Sequence, residues 1–122
     1  MHRAAALLGL LGAAACAKDA APGGEAAPPP LAAAEQQRGQ ELCAGYVARL
    51  CVCAEGDQAL RESCELARSQ PEALALHLHV LGGKEGQLND RERRIEEAAA
   101  RKIVAACVKD DAALPLDRCP RR

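Results

Sequence analysis

The cysteines constrain this chain more than any other feature. There are seven in 122 residues, against no Trp, no Phe and a single Tyr. Six of them, Cys43, Cys51, Cys53, Cys64, Cys107 and Cys119, fall in the second and larger part of the chain. Aromatic side chains ordinarily supply much of a small core's buried area. Here the core has to come from Leu, Ala, Val and Ile. A domain below about 80 residues rarely has enough of such a core to be stable unaided. Three bridges, each worth about 2–4 kcal/mol, would offset that shortage. The six cysteines are therefore read as a disulfide framework.

The apolar pattern between the cysteines is helical. Over residues 34–54, Leu42, Cys43, Tyr46, Val47, Leu50, Cys51 and Ala54 recur three and four apart, the spacing of one helix face. Gly39 and Gly45 weaken this helix by about 1 kcal/mol each. Gly56 suits a turn, and Asp57 is placed to cap a second helix carrying Leu60, Cys64 and Ala67 on one face. Ser69-Gln-Pro-Glu72 has the form of a capping box and predicts a fresh start at Ser69. Residues 73–81, ALALHLHVL, fit both strand and helix periods. Ala and Leu are good helix formers and no partner strand is visible, so helix is expected. Gly82 to Gly86 make a turn. Asn89 and Glu92 then form the clearest start signal, for a helix to about Lys109 with Ile95, Ala99, Ile103, Ala106 and Cys107 inward. The tail from Asp110, with Pro115 and Pro120, should be irregular and stitched back by Cys119. The fold class expected is all-α: a small antiparallel bundle of three to four helices stapled by disulfides.

On a helix Cys51 and Cys53 point about 200° apart and must reach different partners. A hairpin turning at Gly56 brings Cys51 or Cys53 to Cys64, and the last helix ends at that same pole. The pairing expected is Cys51–Cys64, Cys53–Cys107 and Cys43–Cys119.

The first residues read MHRAAALLGLLGAAAC. A short positive end, a short apolar run and small residues before Cys16 are the parts of a secretory signal. The run is too short to span a bilayer, which takes about 20 residues. Ala14-Ala15-Cys16 resembles the lipobox of bacterial lipoproteins, with Ala13 where the pattern usually has leucine. The resemblance implies lipid on the sulfur of Cys16, cleavage just before it and acylation of the new amine. Ala17 in the next position points to the outer membrane. Ordinary cleavage after Ala15 or Ala17 is the alternative. Residues 17–33, rich in Ala, Pro and Gly around Pro28-Pro29-Pro30, read as a tether. The domains expected are thus a signal peptide over 1–15, a lipid-anchored tether over 16–34 and a cysteine-rich helical domain over 35–122.

Composition excludes some functions. With 16 basic and 17 acidic residues there is no cationic excess to neutralise phosphates, and no aromatic platform to stack bases, so no nucleic-acid partner is expected. No nucleophile elbow, phosphate loop or H-E-x-x-H pattern occurs, and there is no C-x-x-C redox pair. No catalytic residue, metal site or cofactor is assigned. Glu96 and Glu97 with Arg91, Arg93 and Arg94 read as a solvated helix face. The closing Arg118, Arg121 and Arg122 read as a solvated tail. The function expected is a non-enzymatic protein-interaction or structural module of the bacterial cell envelope, an outer-membrane lipoprotein facing the periplasm or the surface. Its partners would be the membrane, through the anchor, and an envelope protein. The alternative is a periplasmic metal-binding or metal-delivery module using Cys51, Cys53, His77 and His79.

Overall fold

The computed structural model describes residues 28–83 and 87–119. The leader, Cys16 and most of the tether lie outside the described residues. An extended strap, residues 28–32, leads into α1 (Ala33–Cys53). A 3-10 turn (Ala54–Gly56) reverses the chain into α2 (Gln58–Ala67), followed by α3 (Ser69–Gly82) and α4 (Asp90–Ala112). Every described element is helical, and disulfides join them, as the cysteine count and the apolar spacing imply. Residues 73–81 lie wholly within α3, which resolves their double periodicity in favour of helix.

The chain goes up, down and up again. Glu35 meets Arg101, Cys43 meets Cys107 and Arg49 meets Asp111, so α1 and α4 run parallel. The helices α2 and α3 form the return path between them. They are divided at Arg68, whose own backbone stays helical at φ −59° and ψ −26°. Pro71 explains the division. It has no N–H to give the Ala67 carbonyl, and its ring crowds that carbonyl. Because Arg68 keeps the helical turn going, the amides at the start of α3 need no side-chain cap. Ser69 accordingly makes none, and its hydroxyl donates back to the Leu66 carbonyl at 2.8 Å. The capping box expected at Ser69 is absent for that reason. The two other expected caps form. Asp57 accepts from the amides of Ala59 and Leu60. Asn89 accepts from Arg91 and Glu92, while Glu92 accepts from the Asn89 amide.

The core is aliphatic and sulfur-rich. Leu50, Leu74, Cys43 and Cys107 are its largest fully buried side chains, with Tyr46, Ala67, Leu78 and Ala100 around them. Leu42 and Ile95, expected to face inward, are 39% and 56% exposed. Gly39 takes the inward place on α1 instead. A β-carbon there would lie 2.7 Å from Cγ2 of Val104, so glycine lets α1 and α4 approach closely. α4 packs on both α1 and α3, so its buried stripe runs through Glu97, Ala100 and Cys107, and Ile95 falls outside it.

The bridges are Cys43–Cys107, Cys51–Cys64 and Cys53–Cys119. The local pair matches the expectation. The two long-range pairs correct it. α4 continues past Lys109 to Ala112, which leaves Cys107 about a turn and a half below the pole, level with Cys43. The tail after Ala112 crosses the pole and brings Cys119 to Cys53, with Cα atoms 4.2 Å apart.

Candidate functional site

The pole where α1 turns into α2 carries an open groove. Tyr46 and Leu50 of α1 form its floor, Leu60 and Leu66 of α2 one wall, and Leu114 and Pro115 of the tail the other. The tail is fixed there by three local devices. Leu114 N–H donates to the Asp111 carbonyl at 3.2 Å, the Cys53–Cys119 bridge anchors its end, and Arg118 pairs with Asp57 at 3.4 Å. Arg118 is thus engaged, where a freely solvated tail was expected. Leu66 at the rim is 76% exposed, and Leu116, the residue after Pro115 in the tail, is 71% exposed. Such residues on a small domain with little apolar area to spare mark a surface that another molecule could cover.

Acidic groups flank this groove. Asp111 accepts a two-pronged contact from Arg49, at 2.7 Å to Nε and 2.8 Å to Nη2. That hydrogen bond raises the Arg49 pKa, so the cation is permanent. Tyr46 is the only aromatic side chain in the chain. Burial raises the pKa of its phenol first, and the charges of Asp110 and Asp111 raise it further. It is therefore a neutral hydroxyl at any physiological pH.

The six candidate cysteines are all placed by the structure, and all are paired. Cys51 and Cys53 are spent in bridges to Cys64 and Cys119, and as disulfides they offer no thiolate to a metal. His77 and His79 lie on different sides of α3. His77 is partly buried and its Nδ1 lies 2.6 Å from Oε2 of Glu96 on α4, whereas His79 is exposed. Among the described residues, no group of three or more His, Cys, Asp or Glu side chains is placed to hold a metal ion. No helix of the described residues is long and apolar enough to cross a membrane.

Two residues read as part of a solvated face turn inward. Glu96 makes the histidine contact. Glu97, only 5% exposed, accepts from the Leu31 amide at 3.4 Å. Arg101 reaches to the Pro29 carbonyl at 2.6 Å and to Glu35 at 3.4 Å. Gln36 donates to the Leu31 carbonyl at 3.1 Å. The end of the stretch read as tether is thus held against α1 and α4. Nothing in the sequence near Glu97 signals this, because its partner lies 66 residues away.

Fold and cross-links together define the class: a small all-α bundle whose helices are joined by disulfides. No protein-family model matches the chain, and neither a curated protein nor a solved structure is similar to it.

Proposed function

We propose that this is a membrane-tethered lipoprotein of the bacterial cell envelope, with the bundle serving as a non-enzymatic interaction or structural module. The observation that carries the reading is one of parity. All six cysteines of the bundle are used in pairs, and the seventh, Cys16, stands where the lipobox pattern places its acylated cysteine. Disulfides form and persist in oxidising compartments, which agrees with an exported chain. Several acyl chains on Cys16, at about 0.8 kcal/mol per buried methylene, would hold the protein firmly without a spanning helix. The groove bounded by Leu60, Leu66, Leu114 and Pro115 is the surface through which it would bind an envelope protein.

Intact mass of the mature protein, with and without reduction, tests the reading. The expected species begins at Cys16, carries acyl chains and gains six alkylatable thiols only after reduction. A full-length, uncut chain with every thiol free would overturn it. Labelled palmitate should enter the wild type and not a Cys16→Ala variant. A photo-crosslinker at Leu66 should capture an envelope protein that a Leu66→Asp, Leu116→Asp variant no longer retains.

A further inference from the structure

We propose that the groove at the α1–α2 pole recognises a lysine side chain of the partner protein, its ammonium at Asp110 and Tyr46 and its methylene stem along Leu60, Leu66 and Leu114. The inference rests on the reading of this groove as the contact surface, and it names the chemistry that the groove selects. Of the polar side chains that line it, Ser63 and Ser69 donate to the Ala59 and Leu66 carbonyls. Gln70 turns to the Cys43–Cys107 bridge, with Oε1 3.3 Å from the Cys107 sulfur. Tyr46 and Asp110 are left.

Tyr46 is only 7% exposed, and its hydroxyl has no hydrogen-bond partner among the described residues. No buried side-chain oxygen among them lacks a partner, so this hydroxyl reaches solvent, and the groove that Tyr46 lines is the opening. Asp110 is half-buried in the last turn of α4, and its charge is felt at the Tyr46 phenol. Among the described residues no cation pairs with it. The arginines of this pole are taken: Arg49 by Asp111, Arg68 by Glu65 and Arg118 by Asp57. Lys109 is exposed and stands about 100° away around the helix. The carbonyl end of a helix is itself negative, so Asp110 adds its charge where α4 already carries one.

These features select a cation. A carboxylate would be repelled by Asp110. An aliphatic group laid over Asp110 would strip its charge of water and offer nothing in return. An ammonium on a flexible stem has donors enough for the carboxylate and the phenol oxygen together, and its stem covers the leucine walls. Carboxylate and hydroxyl are separate acceptors of unlike geometry. The rotatable donors of lysine meet them better than the rigid planar fork of arginine.

The test uses the full chain bearing Cys16→Ser, oxidised and titrated with Nα-acetyl-lysine methylamide or with its norleucine counterpart, which keeps the stem and lacks the ammonium. The capped lysine should saturably shift the ring resonances of Tyr46 and the methyl resonances of Leu60, Leu66 and Leu114. The norleucine compound should bind at least about tenfold more weakly. Asp110→Asn should weaken the capped lysine by a similar factor while helicity and disulfide mapping stay unchanged. Asp110→Glu should recover most of the binding, and Tyr46→Phe should weaken it by a smaller factor. Equal binding of the two compounds, or a capped lysine indifferent to Asp110→Asn, would overturn the proposal. The photo-crosslinker at Leu66 separates it from the broader reading. Capture of an envelope protein that Asp110→Asn leaves unchanged would overturn lysine recognition and leave the groove as the contact surface. Capture lost in Asp110→Asn and kept in Asp110→Glu would support both.

Discussion

Cys43 and Cys107 join the middle of α1 to α4 with their Cα atoms 5.1 Å apart, and neither has any exposed surface. Their bridge spans 64 residues, that of Cys51–Cys64 only 13. In the chain-entropy account a longer closed loop constrains the unfolded state more, giving about 4 kcal/mol for the first bridge and about 3 kcal/mol for the second. A total stability of about 5–15 kcal/mol leaves little after the first loss. The Cys43→Ala, Cys107→Ala double variant should therefore show the larger drop in guanidinium midpoint. The reverse order would mean that the bridges act through native packing rather than through the unfolded chain.

Asn89 and Ser69 open helices with the same sequence pattern but unlike geometry. Asn89 caps α4 through its side chain, and Asn89→Ala should cost about 1 kcal/mol. Ser69 caps nothing, and exposed Ser69→Ala should fall within about 0.5 kcal/mol of wild type. Urea denaturation of the two variants checks both values.

Glu97 secures the strap. Glu97→Ala should lower stability by about 1–3 kcal/mol, because it leaves the Leu31 amide without its acceptor. Amide exchange at Leu31 should speed up in that variant. Glu97→Gln keeps an oxygen acceptor in the same place and should restore most of the protection.

Tyr46 makes stability sensitive to alkali. Its folded-state pKa is raised above 10.0, first by burial and then by Asp110 and Asp111. The folded state therefore holds this proton more tightly than the unfolded state does. The associated stability is complete below pH 10.0 and is lost as pH rises through the folded-state value. Urea midpoints measured across that range should fall more steeply for wild type than for Tyr46→Phe.

The helices and their local starts were legible because they depend on neighbours in sequence. Asp57 and Asn89 need only the amides two and three residues on. The same reasoning failed at Ser69, where the preceding helix runs on through Arg68 and removes the need for a cap. Cys51–Cys64 could be read from one turn and the two helices that it joins. The long-range bridges could not, since a few residues more of α4 change which cysteine lies at the pole. Neither the strap contacts nor the close approach of α1 to α4 leaves a local signature. Glu97 resembles any acidic residue on a solvated helix, and Gly39 any helix-weakening glycine, until α4 and the strap are set against them.

Parallel α1 and α4 give the domain a definite polarity. The strap at Leu31 adjoins the start of α1, whereas the Cys53–Cys119 bridge closes its far end, about 30 Å along its axis. The two ends of the bundle are therefore closed by different chemistry, one by a strap lashed through its backbone to Glu97 and Arg101, the other by sulfur welded between Cys53 and Cys119.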